Sequence, residues 1–192
     1  KGYRIPSALK SNWLKYQKEA AKNWKEKNEN SDYYSDYDDH TQAYRLYTLA
    51  LAKSPELGAM NRLRESKTLS NIARWRLAAA YQVAGQTESA KKLMTGASTK
   101  VVKYTELSFT FGNDVRDKAM ILEVLALTKN KSKGLPMMKE IAREMSSNNW
   151  MSTQTTAYCL MAISKFVGTS ETDKTMKFSY TAGSLSETKS TQ

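Results

Sequence analysis

The sequence predicts an all-α chain built from antiparallel helical hairpins, and three observations carry that expectation. Apolar residues recur at steps of three and four along most of the chain, the spacing of one helical face. Gly and Pro are scarce, 8 and 3 in 192 residues, too few to punctuate a turn-rich β sandwich. Successive hairpins start near residues 39, 68, 113 and 151, at intervals too uneven for a strict repeat array. Such hairpins suit an α/α toroid or a loose helical layer. A hydrophobic content of 40% with 26% charged residues fits a soluble globular core, and the length suits one domain with a small appendage.

The first helix is expected after Pro6 and Ser7, with Leu9, Trp13, Tyr16, Ala20 and Trp24 on the face that lies on a core. Lys10, Lys15, Lys18, Lys22 and Lys25 occupy the other face. Residues 28–39 are polar, carry Tyr33, Tyr34 and Tyr37, and read as a loop. A second helix starts near Asp39, with Asp38 or Asp39 as its N-cap. Its Ala43, Tyr44, Leu46, Tyr47, Leu49, Ala50 and Leu51 cover most of the circumference, so burial on more than one side is expected. Ser54-Pro55-Glu56 restarts the chain as a short helix to about residue 65, with Pro55 at the first helical position.

The run 68–84 is the strongest helical segment, and Gly85 supplies its stop. A fifth helix begins at Thr87 and halts near Gly96. Residues 99–111 mix Val101, Val102, Tyr104, Phe109 and Phe111 with Thr and Ser, which suits an extended connection or a short hairpin. Helices resume over 114–129, 135–145 and 152–166. Residues 174–181 alternate as a strand would through Met176, Phe178 and Tyr180, and the last residues read as disordered. The expected division is a helical domain over 1–168, and either the start of a β region or a disordered tail over 169–192.

A net charge of +11 raises the question of nucleic acid, but the cations are spread over most of the helices and form no dense run. They read as solvated faces whose Lys stems cover apolar surface. A single Cys excludes an internal disulfide framework and a Cys-based metal cluster. No apolar run is long enough to span a bilayer. The chain opens on Lys-Gly-Tyr-Arg without Met, and is expected to be cut from a longer precursor with its targeting signal upstream.

Each candidate for chemistry fails its spacing test. His40 has no second ligand at helical spacing, so it reads as a polar residue at a helix start. Asp38-Asp39 continues into His, Thr and Gln, without the third carboxylate of a diphosphate-binding helix. Asp36, Asp38 and Asp39 crowd one loop, and the remaining acids read as surface residues, which leaves no carboxylate pair across a sugar-sized cleft. Cys159, inside Ala157-Tyr158-Cys159-Leu160-Met161, has no His or cation nearby and reads as core. Met120, Met137, Met138 and Met161 read as core fillers, as does Trp75. Trp150 and the Tyr33/Tyr34/Tyr37 group could stack on a partner, and the Tyr group is the candidate contact surface.

Four stretches, in order, resemble the helical thioester-type domain of alpha-2-macroglobulins and complement components, the bacterial branch above all. Gln42-Ala43-Tyr44-Arg45-Leu46-Tyr47-Thr48-Leu49-Ala50-Leu51-Ala52, with ELGAMNRLRE after it, is similar to the bacterial Q-A-Y-x-LYxLALAG segment. Residues 73–85 resemble the LAxAYxLAG helix, and Phe111-Gly112 through Asp117 resembles FGS..RD.A. Asn149-Trp150-Met151-Ser152-Thr153-Gln154-Thr155-Thr156-Ala157 resembles the late W/F-x-STQ-x-T signature.

The resemblance spans roughly residues 1–168. It implies a partial α/α toroid in a large, extracytoplasmic protein, periplasmic or on the cell surface, that entraps proteases. It also implies contacts with other domains of the same chain. The family's reactive C-x-E-Q motif is absent, and Cys159 is not followed by Glu-Gln. The family's catalytic His lies further ahead of the helix at Ala43 than His40 does, so that role is not carried over. The expectation is therefore a non-enzymatic domain with no catalytic, cofactor-binding, metal or thioester residue, no cofactor and no nucleic-acid partner. A TPR-like scaffold binding a protein or peptide is the alternative, because LAAAYQVAGQTESAKKL would fit one such unit.

Overall fold

A computed structural model of the chain describes residues 5–26, 38–107, 111–168 and 177–190. Tyr33, Tyr34, Tyr37, Asp32, Asp36, Phe109 and Met176, singled out in the sequence, lie outside them. The described residues form α1 (Ser7–Asn23), α2 (Asp38–Leu51), α3 (Leu57–Arg64), α4 (Asn71–Val83), α5 (Thr87–Met94), α6 (Asp114–Leu127), α7 (Lys131–Met145) and α8 (Thr153–Gly168). A two-stranded antiparallel hairpin follows, β1 (Lys177–Ala182) and β2 (Leu185–Ser190), with Gly183 at positive φ in its turn. The fold is all-α with a short β segment at its end, as the sequence predicts.

The helices α2, α4, α6 and α8 pack in a row, each against the next, while α3, α5 and α7 fold back beside α2, α4 and α6. The row closes on α4, where Ala73, Trp75, Leu77, Ala78, Ala79, Ala80 and Tyr81 are all buried. Four alanines there let neighbouring backbones approach closely, and α4 touches α2, α5 and α6. Cys159 and Trp75 are buried as expected, the Trp75 indole donating to the Ser98 carbonyl at 2.8 Å. Met120 and Met137 are buried too, whereas Met161 is 39% and Trp150 69% exposed.

Helix boundaries follow local chemistry. The Ser70 hydroxyl accepts from the Ala73 amide to start α4, and Asn113 accepts from the Arg116 amide to start α6. Gly85 at φ 78 closes α4, and the Gln86 amide returns to the Tyr81 carbonyl at 2.8 Å. The 99–107 stretch forms no helix or strand and pairs Thr105 with Asn113 across an isolated bridge.

Five expectations need correction. On α1, Leu9 and Tyr16 are 61% and 66% exposed, and the packed side is that of Leu14, Ala21 and Trp24. Polar ties decide the rotation: Gln42 Nε2 and Arg62 Nη2 donate to the Ala21 carbonyl, and Lys18 and Lys22 pair with Glu56. Asp39 lies inside α2, where its carboxylate accepts from the Ser70 amide at 2.6 Å. The restart at Ser54-Pro55 falls two residues early, because Lys53 at φ 58 returns the Ser54 amide to Leu49 and leaves Glu56 as the α3 N-cap.

Helix α7 begins at Lys131, ahead of the expected residue 135, because the Asn130 side chain caps it and Pro136 is carried inside the helix. Finally, Leu185–Ser190, expected to be disordered, pairs with Lys177–Ala182 as β2. The Ser179 and Thr188 hydroxyls meet across that pair at 2.7 Å.

Candidate functional site

The chemically distinctive feature is a polar cluster buried where α2, α4, α6 and α8 meet. Helix α6 places Glu123 within Ile121-Leu122-Glu123-Val124-Leu125, and α4 places Arg76 between Trp75 and Leu77. Both are 1% exposed. Arg76 Nη1 donates to Glu123 Oε2 at 2.7 Å. The Tyr47 hydroxyl donates to Glu123 Oε1 at 2.8 Å, and Lys165 Nζ donates to the same oxygen at 2.5 Å. Four helices therefore converge on one carboxylate. The Arg76 guanidinium also lies over the Tyr47 and Tyr44 rings, 4.7 and 5.6 Å from their centroids. Tyr44 accepts from the Tyr158 hydroxyl at 2.5 Å and completes the ring of contacts.

A second buried group sits at the N-termini of α6 and α8. Arg116 Nε and Nη2 both reach Asp117 Oδ1, at 3.1 and 3.0 Å. Nη2 also meets the Tyr104 hydroxyl, which donates to Asp117 Oδ2 at 2.7 Å. Arg116 Nη1 reaches Gln154 Oε1 at 3.2 Å. The Ser152 hydroxyl donates to the Phe111 carbonyl at 2.8 Å and accepts from the Thr155 amide, so it caps α8. Thr155 in turn donates to Asn113 Oδ1 at 3.3 Å. The Ser152-Thr153-Gln154 stretch thus ties one helix start to the other.

Burial pushes the Glu123 carboxyl up, but the Arg76 charge and the hydrogen bonds from Lys165, Arg76 and Tyr47 outweigh it. The group titrates below its ordinary value. At Asp117 burial wins over Arg116 and Tyr104, and the carboxyl titrates above its ordinary value. His40, 8% exposed, is pushed down to about 3, first by burial and then by Arg116 and Arg76. It stays neutral. Burial pushes the Cys159 thiol up to about 11, and its sulfur lies 4.0 Å from the Val115 carbonyl.

No three His, Cys, Asp or Glu residues among those described are grouped as a metal ion would require. His40 Nε2 is buried with no hydrogen-bond partner among the described residues. The contacts of the cluster tie α2, α4, α6 and α8 to one another.

Of the residues weighed in the sequence, the structure brings only His40 toward this cluster. It lies in the first turn of α2, as its reading as a helix-start residue expects, and is there a buried neutral imidazole. The expectation that the remaining acids lie on the surface fails for Asp114, Asp117 and Glu123, which are 8%, 6% and 1% exposed. Two signals could have found the Arg76–Glu123 pair: a lone acid in the apolar middle of α6, and an Arg between Trp75 and Leu77 in α4.

No family model and no curated protein sequence matches the chain. Solved structures do. The native Escherichia coli alpha-2-macroglobulin, from domain MG7 to its C-terminus, matches with a TM-score of 0.73 at 17% identity. The match covers 99% of this chain and 30% of that one. Escherichia coli alpha-2-macroglobulin activated by porcine elastase matches at 0.63 and 18% identity, over 99% of this chain and 18% of that one. Salmonella alpha-2-macroglobulin reacted with methylamine matches at 0.65 and 18%, over 99% and 13%. The chain has the fold of a segment of these bacterial proteins and spans less than a third of their length.

Proposed function

We propose that the chain is a structural, non-catalytic helical domain of a bacterial alpha-2-macroglobulin-like protein, one that restrains proteases by enclosing them. The observation that carries this reading is the likeness over 99% of the chain to alpha-2-macroglobulins, one of them solved after activation by elastase. The four motif stretches support it independently of geometry. Residues 1–168 form part of an α/α toroid in this reading, and residues 169–192 open the β region that follows. The parent is extracytoplasmic, its partners are proteases and its own neighbouring domains, and neither nucleic acid nor a cofactor takes part. Among the described residues no helix is long and apolar enough to cross a membrane.

The domain's contribution is stiffness. A buried carboxylate on one helix gripped from three others resists shear, so cleavage elsewhere in the parent would move the domain as one body. The test is to incubate the purified parent protein with elastase and follow both by size-exclusion chromatography. Elastase that co-elutes with cleaved parent, active on a small chromogenic peptide but not on casein, is the expected result. Free elastase with full casein activity beside digested parent sinks the reading.

A further inference from the structure

Arg76 uses only part of its hydrogen-bonding capacity. Nη1 is spent on Glu123, and the Tyr47 and Tyr44 rings cover the face of the guanidinium. Nε and Nη2 are buried, yet neither has an acceptor among the described residues. These two N–H groups point the same way along one edge of the plane, the edge that grips a carboxylate with two parallel bonds. Ring contacts lie above the plane and cannot satisfy an in-plane edge.

The neighbouring carboxylate and phenol oxygens already have donors of their own. Glu123 Oε2 is taken by Arg76 Nη1, and Oε1 by Tyr47 and Lys165. The Tyr44 and Tyr158 hydroxyls are bonded to each other. Asp117 is held by Arg116 and Tyr104. Charge points the same way: at the α4–α6 junction the cations Arg76 and Lys165 both pair with the one carboxylate Glu123. A buried donor left unpaired is unfavourable, more so when charged, and this edge presents two.

We propose that the Nε/Nη2 edge of Arg76 is a carboxylate-binding subsite beside Tyr44 and Tyr47. Tyr44 is 37% exposed, and the Lys165 side chain is 39% exposed, so the cluster has a wet side. The ligand is planar with two oxygens, of acetate size, supplied either as a small free carboxylate or as an Asp or Glu side chain from elsewhere in the parent protein. The site stands on these residues alone and holds whether or not the family reading does.

The test follows arginine Nε–H resonances of the 192-residue chain, assigned through the bonded side-chain nuclei, during titration with sodium acetate against sodium chloride at matched ionic strength. The Arg76 Nε–H is expected to move downfield and saturate with acetate but not with chloride. Arg76→Lys keeps the charge and loses the fork, so acetate-induced shifts of the His40 ring protons should then need at least about tenfold more acetate. A structure of the parent protein separates the sources. An Asp or Glu side chain on the edge identifies an internal ligand, and a saturable acetate response without one identifies a free carboxylate. No saturable shift in the chain, together with only water on that edge in the parent, overturns the site.

Discussion

Glu123 shows how much one side chain can hold in this fold. Replacing it with Leu strands Arg76 and removes the partner of Tyr47 and Lys165. Breaking a buried pair from one side typically costs about 3–5 kcal/mol. Urea unfolding of Glu123→Leu should show a loss of that order, and the double variant with Arg76→Met should recover much of it. Equal losses in the single and double variants would mean that the pair is not coupled.

His40 offers a second check at the same scale. Its folded pKa of about 3 lies below its ordinary 6.5, so the unfolded chain binds a proton that the folded chain refuses. Stability is therefore full above 6.5 and falls as the pH drops toward 3. Between pH 7 and 5.5 the protein should lose about 1 kcal/mol more than His40→Gln does. Parallel loss in the two would show that the imidazole is not held neutral. The burial of Glu123 was legible from its apolar neighbours, but neither residue's partners were, because these lie tens of residues away. Tyr47 lies 76 and Arg76 47 residues from Glu123. Periodicity reports which face is apolar but not what a lone charge on that face will meet.

At the scale of elements, most of the sequence reading holds where local chemistry decides and slips where tertiary contacts do. Gly85 ends α4 by its own backbone freedom, and that was readable. The rotation of α1 was not, since it follows from the grip of Gln42 and Arg62 on the Ala21 carbonyl. Helix α7 is instructive because Asn130 caps it ahead of the expected residue 135, and Pro136 is carried inside the helix. The same helix approaches α8 at Gly134, where an added Cβ would sit 2.2 Å from the Phe166 ring.

Gly134→Ala gains about 1 kcal/mol of helix propensity but forces that ring to move, which costs about 1–3 kcal/mol. Net destabilisation is expected in urea, and Gly134→Ala combined with Phe166→Leu should remove the clash. A stabilised single variant would mean that the two helices are not closely packed. Ser152→Ala should cost about 1 kcal/mol through loss of the α8 cap. Because Ser152 also bonds Phe111, the loss should exceed that of an isolated cap.

For the molecule as a whole, the consequence lies along α1 and the end of α2. Ile5, Leu9 and Leu51 are 64%, 61% and 52% exposed, and with Trp13 they line a groove of about 730 Å³. Exposed apolar residues scattered singly are ordinary, but a contiguous patch marks a surface that burial would stabilise. The row α2, α4, α6, α8 covers each member on both sides except at its two ends, and α1 shields its end of the row with only its Leu14, Ala21 and Trp24 side.

The isolated chain should therefore bind bis-ANS and self-associate as concentration rises, and Leu9→Glu with Leu51→Lys should suppress both. Sedimentation velocity across a concentration series reads the association directly. The two substituted positions are already wet and make no core contact, so the double variant should melt within about 0.5 kcal/mol of the parent chain. That separation matters: loss of association with unchanged stability assigns it to the groove. A monodisperse wild-type chain with no dye binding would show that α1 covers this end of the row more fully than its side-chain exposure implies.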